Sequence, residues 1–113
     1  MAAHNVSTQH RQLKLVSYNM HGFNQGCPTI NELINTVDPD IILCQEHWLT
    51  PANLGNFDKH YPNYMTFGSS AMCNHIESGI ILGRPFGGLM TLIKKRITQP
   101  NANDSLRITL YCC

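Results

Sequence analysis

Apolar positions along the first half of the chain switch from a strand period to a helix period and back. Leu13 and Leu15 fall on one side of an extended segment and Val16 and Tyr18 on the other, so residues 13–18 predict a strand ending at Asn19. The run His21-Gly22-Phe23-Asn24-Gln25-Gly26 is rich in turn formers and predicts a loop. Pro28 suits the first turn of a helix, where its missing N–H costs nothing. Ile30, Leu33, Ile34 and Val37 then recur at i, i+3, i+4 and i+7, the stripe of an amphipathic helix. Asp38-Pro39-Asp40 stops it, because proline disfavours helical geometry in the residue before it. Residues 41–44 form a short continuous apolar run, as in a strand covered on both faces. Strand, helix, strand in this order predicts a βαβ unit with neighbouring parallel strands and a right-handed crossover.

The second half is less regular. Residues 50–62 are polar and predict a loop, residues 64–67 a short strand, and residues 89–93 a longer one. The stretch between those strands reads as loop with an apolar turn at Ile80-Ile81-Leu82. Leu106, Ile108 and Leu110 alternate with polar residues, as in a half-buried strand, and only Cys112-Cys113 follows Tyr111. With nothing left to pair with or cover it, that strand suggests a domain cut short. Residues 1–10 look like a disordered leader with little to bury, leaving 11–113 as the folded part.

Composition narrows the class. The chain has 113 residues, 42% of them hydrophobic, enough for a modest core. A formal net charge of +1 gives no strong field for nucleic acid and none against it. Basic residues gather at Lys94-Lys95-Arg96, with Arg84 and Arg107 nearby in sequence; a solvated strand end is favoured over a phosphate-contacting patch. The five cysteines are odd in number and lack any C-x-x-C pair. Cys44 reads as a small core residue, and Cys73 with His75 as loop chemistry. No secretory h-region is present, and no apolar stretch approaches the ~18 residues that span a bilayer. A reducing, intracellular compartment is the simplest expectation.

The chemistry sits at strand ends. A buried strand fixes its last residue rigidly, so Asn19 and Glu46 can present an amide and a carboxylate at one edge of a sheet. Such a pair suits a hard cation and a phosphate. Gly83 with Gly87-Gly88 lacks the Gly-Lys-Ser/Thr ending of a phosphate loop and predicts a tight turn before a strand. Trp48 is expected to cover the strand end as core rather than to stack a base. His21 and His47 flank the two strand-end residues, where they could line a cleft.

The segment Val16-Ser17-Tyr18-Asn19-Met20-His21-Gly22 resembles the first motif of the endonuclease/exonuclease/phosphatase superfamily. Asp40-Ile41-Ile42-Leu43-Cys44-Gln45-Glu46-His47-Trp48-Leu49 resembles the second, whose glutamate binds the divalent metal. Gly83-Arg84-Pro85-Phe86-Gly87-Gly88-Leu89-Met90 is similar to the segment entering the next strands, in the form common among endonucleases of non-LTR retrotransposons. The order and spacing of these motifs, from Leu13 to about Arg96, carry the resemblance. It implies the N-terminal half of a four-layered α/β sandwich, a mixed sheet with covering helices. It also implies that Asn19 holds the scissile phosphate and Glu46 a magnesium ion, with manganese as the alternative. The implied partner is nucleic acid, DNA ahead of RNA, and the expected compartment is intracellular, the nucleus among the options.

The same resemblance implies a tyrosine, an Asp-x-Asn pair and a late Ser-Asp-His. The sequence holds neither of the last two motifs. Tyr111 is the tyrosine nearest in sequence to the implied one. Three readings follow: a metal-dependent endonuclease of retroelement origin that is incomplete and inactive alone, a phosphoinositide-type phosphatase of the same fold, or a non-catalytic remnant retained as an interaction module. The glycine-rich segment favours the first.

Overall fold

A computed structural model describes residues 9–71, 87–98 and 104–112. Its elements are β1 (Gln9–Asn19), α1 (Phe23–Thr36), β2 (Ile41–Gln45), a 3-10 turn (Pro51–Asn53), α2 (Asn56–His60), β3 (Tyr64–Ser69), β4 (Leu89–Lys94), a second 3-10 turn (Lys95–Thr98) and β5 (Asp104–Cys112). The strands form one mixed sheet of five, in the order β3-β4-β2-β1-β5. β1 runs parallel to β2 and to β5, whereas β4 is antiparallel to both β2 and β3. The chain is therefore an α/β fold, and the βαβ unit expected from the apolar pattern is present.

The core lies on one face. Register places Val16, Ile42 and Leu92 in a row across β1, β2 and β4, and none of the three is exposed to solvent. Phe23, Cys27 and Ile30 of α1 pack onto this row, with Leu33, Ile34 and Val37 half-buried behind them. Each aliphatic side chain buried there contributes about 2 kcal/mol relative to exposure. Phe57, Tyr61 and Tyr64 close the same cluster from the α2 side. The Tyr64 hydroxyl donates to Pro39 O at 2.8 Å, pinning β3 to the turn before β2. No described helix is long and apolar enough to cross a membrane.

The other face is also apolar, and no described helix lies on it. Met65, Ile93, Ile41, Leu15 and Leu110 form a continuous row through all five strands. Phe67, Leu89, Ile108 and Leu110 are more than half exposed there. Residues 41–44 are thus fully covered on one face and only half-buried on the other, not covered on both as expected.

Several boundaries need correction. The helix starts at Phe23 rather than at Pro28, so most of the expected loop over residues 21–26 is helical. The close approach of Gly26 to Met20 makes this possible: a β-carbon at Gly26 would lie 2.6 Å from Met20 Cβ. Phe23 is thereby buried, and its burial outweighs the one helical hydrogen bond that Pro28 cannot donate to Asn24. The loop expected over residues 50–62 contains α2, held by the fully buried Phe57. β1 already begins at Gln9, inside the stretch expected to be leader. β5 does not lack a partner: it pairs with β1 from Gln9↔Asp104 to Ser17↔Cys112. The expected apolar turn at residues 80–82, the pair Cys73 and His75, and Arg84 lie outside the described residues.

Candidate metal and phosphate site

Asn19 and Glu46 stand at the same edge of the sheet. Asn19 is the last residue of β1 and pairs with Gln45, the last of β2, so Glu46 leaves β2 just beyond that register. A backbone ladder continues past the strands: Met20 N donates to Gln45 O and Gly22 N to Glu46 O, both at 2.8 Å. On the other side, Glu46 N donates to Gly88 O and Trp48 N to Gly87 O, both at 2.9 Å. Three segments that are remote in sequence therefore meet around Glu46.

Backbone strain concentrates here. Of the four described non-glycine residues with positive φ, three are His21 (50°), Glu46 (57°) and Trp48 (60°). Such conformations cost of order 1 kcal/mol or more each and persist where surrounding bonds over-determine them. The ladder supplies those bonds, and it turns Glu46 and Trp48 the same way about His47.

The Glu46 carboxylate is held by one oxygen. Oε2 accepts from Trp48 Nε1 at 2.9 Å and from Gly87 N at 2.8 Å. Asn19 is exposed, and its Oδ1 accepts from His21 N at 3.2 Å, which leaves its amide NH2 without a described partner. A shallow cavity of about 170 Å³ is lined by Gly22, Phe23, Asn24, Gln25, His47, Trp48 and Leu49, and neither Asn19 nor Glu46 lines it.

His47 is a structural post in the wall of this cavity. Its side chain is fully buried, Nδ1 accepts from Leu49 N at 2.9 Å, and Nε2 lies 3.0 Å from Ser69 O. Those partners require the neutral tautomer with the proton on Nε2. Burial pushes its pKa down, against the Ser69 and Leu89 carbonyls and the Glu46 charge. With both nitrogens committed to backbone, it has no lone pair left for a water. His21 stays exposed, with its ring edge-on to Trp48 at 6.5 Å between centroids.

Trp48 is likewise not core. It is half-buried, and its indole N–H serves the Glu46 carboxylate. The Glu-x-Trp spacing was the available signal for this contact, and Gly87 was visible only as a turn former. Tyr111 lies on the exposed β5 opposite Val16, short of the edge that carries Asn19.

The basic run sits at the opposite end of the sheet. Lys94 is ion-paired with Asp38, and Arg96 lies 3.8 Å from Asp38 and 3.7 Å from Asp40. Lys14 Nζ donates to Val37 O at 3.0 Å, a favourable cation at the C-terminus of α1. The hydrogen bond from Lys94 holds the Asp38 carboxyl below its usual range. Lys94, Lys95 and Arg96 line a cavity of about 460 Å³ with Asp38 and Asn63, at the end of β4 away from its pairing with Gln45. The solvated strand-end reading therefore describes them.

Among the described residues, no three His, Cys, Asp or Glu side chains cluster to form a metal cage. The residues present do fit a magnesium ion that keeps most of its waters. Such an ion needs only one or two carboxylate oxygens from protein, and the second Glu46 oxygen is not among those held by N–H donors.

No protein-family model matches the sequence, and no curated protein matches it either. Solved structures with a similar fold include a 3'-5' exonuclease, NExo, from Neisseria meningitidis, and the 3' phosphatase NExo from Neisseria bound to product DNA hairpin. Each is 15% identical with a TM-score of 0.49, over 69% of this chain. The match spans only 26% of either neighbour's length.

Proposed function

We propose that this chain supplies the cation-holding and phosphate-holding part of a metal-dependent phosphodiesterase, an endonuclease of retroelement origin acting on DNA in preference to RNA. The observation that carries this reading is the placement of Asn19 and Glu46 at the same end of adjacent parallel strands. The motif resemblance at both strand ends, the strained backbone around Glu46 and the open amide of Asn19 support it.

In this reading Glu46 holds a magnesium or manganese ion through a single oxygen. Asn19 donates its amide N–H to a non-bridging phosphate oxygen and holds the scissile group against the sheet edge. The bound ion would supply charge for the phosphorane-like transition state and the leaving oxygen. General base catalysis needs an acceptor within hydrogen-bond reach of the attacking water. His47 is not that acceptor, and the Asp-x-Asn and Ser-Asp-His motifs are absent from the 113 residues. The chain alone is therefore proposed to be inactive, since loss of a general base costs ~10²–10⁴-fold in rate.

The test pairs manganese titration with plasmid nicking, using wild type and Glu46→Gln. Manganese binding that is lost in the Gln variant, without nicking by either protein, is the expected result. Equal binding by both proteins would place the cation elsewhere. Metal-dependent nicking by wild type that disappears in the variant would make the chain an enzyme in its own right.

A further inference from the structure

We infer that Trp48 is a positioning residue that, together with the Gly87 amide, saturates one oxygen of Glu46, so that a divalent cation is taken through the other oxygen alone. This rests on the reading of Glu46 as a cation ligand and adds the denticity and selectivity of that site.

A carboxylate oxygen offers about two in-plane acceptor positions. Oε2 of Glu46 already receives two N–H donors, the Trp48 indole at 2.9 Å and Gly87 N at 2.8 Å. A cation cannot share that oxygen without displacing one of them. The backbone of Glu46 is held as well. Its carbonyl accepts from Gly22 N and its own N–H donates to Gly88 O, so the backbone is fixed on both sides. Trp48 is fixed in turn by its backbone bond to Gly87 O and by the left-handed turn at φ 60°.

Two consequences follow for ligand choice. Calcium favours bidentate carboxylates and high coordination numbers, which this arrangement denies it. A smaller octahedral cation that keeps its waters loses nothing, because one oxygen is all it asks of the protein. The indole N–H thus acts without touching the cation: it decides which oxygen is offered and in what orientation.

The full chain, Trp48→Phe and Glu46→Gln are titrated with manganese and, separately, with calcium by calorimetry, with thermal unfolding as the control for fold. Phenylalanine keeps an aromatic ring and removes the donor. Manganese affinity is expected to fall about tenfold in Trp48→Phe, the size typical for a partner of a metal ligand. Calcium affinity should fall less, because Oε2 becomes available, so the manganese-to-calcium preference drops. An unchanged affinity or an unchanged preference overturns the inference. If Glu46→Gln loses manganese while Trp48→Phe binds as wild type does, only the positioning role fails. If Glu46→Gln binds like wild type, the cation reading itself fails.

A second measurement needs no variant of Trp48. The chain has one tryptophan, so its fluorescence reports on the surroundings of this one indole. Saturating magnesium should shift the emission of wild type and leave that of Glu46→Gln unmoved. A wild-type spectrum unaffected by magnesium that calorimetry shows to be bound overturns the inference.

Discussion

The imidazole of His47 occupies the space that a side chain at Gly88 would need. A β-carbon there would lie 2.3 Å from His47 Cε1, and Gly88 has a φ of 96°. His47 cannot yield, because both ring nitrogens are bonded to backbone. Gly88→Ala should therefore combine overpacking with backbone strain and cost about 2–5 kcal/mol. Urea unfolding of the variant checks this, and a loss below the cost of an ordinary surface change would mean that the ring can move.

Acid should weaken the fold through His47. Its folded pKa lies below the ordinary 6.5, with burial as the leading cause. The unfolded chain therefore takes up the proton first, and stability rises with pH across that interval. The contribution is complete above about pH 6.5 and declines as pH falls below it. Unfolding free energies at about pH 8 and about pH 5.5 should differ in wild type and differ less in His47→Gln. Equal slopes in both proteins would assign the effect to another group.

Asp38 should matter little despite its two cationic neighbours. Its side chain is 60% exposed, so its pairs with Lys94 and Arg96 are screened by solvent and salt. Asparagine also tolerates its left-handed φ of 54°. Asp38→Asn is expected to cost less than about 1 kcal/mol at neutral pH, and less again at high salt. Because its folded pKa is depressed, that contribution exists at neutral pH and fades as pH falls through the folded value. Thermal melts in low and high salt measure it.

Cys44 should be silent to thiol reagents in the folded protein. It is 1% exposed, and burial pushes its thiol up to about 12, so almost no thiolate forms at neutral pH. Peptide mapping after iodoacetamide treatment should show Cys44 unlabelled in buffer and labelled in denaturant. Rapid labelling in buffer would mean that the layer between α1 and β2 opens readily.

The elements with a repeated apolar period were legible in the sequence, and so was the edge they share. Ile30, Leu33, Ile34 and Val37 announced α1, and the run before Gln45 announced β2. The start of α1 was not legible, because it depends on how closely Gly26 meets Met20 across the sheet edge. A lone glycine reads as a turn former until its neighbour is known. α2 was hidden for a different reason. Its anchors, Phe57 and Tyr61, bury their rings on the sheet from a segment that is otherwise polar and shorter than two helical turns. The Glu-x-Trp spacing carries the Trp48 contact, but the role of His47 turns on the Ser69 carbonyl and that of Glu46 on the Gly87 amide, partners that no local pattern encodes.

The pairing of β1 with β5 also bears on how the chain reaches this fold. Gln12 Nε2 donates to Thr109 Oγ1 across 97 positions of sequence, and residues 9–14 of β1 have β5 as their described strand partner. Contacts of such separation form late, because a long loop must close before any of them is gained. While β5 is still being synthesised, β1 can already pair with β2 and shelter under α1, but its outer edge stays open. An open edge beside an apolar sheet face is the geometry by which growing chains capture one another. Yield on refolding should therefore depend on protein concentration, and the arrival of β5 is the step on which it turns.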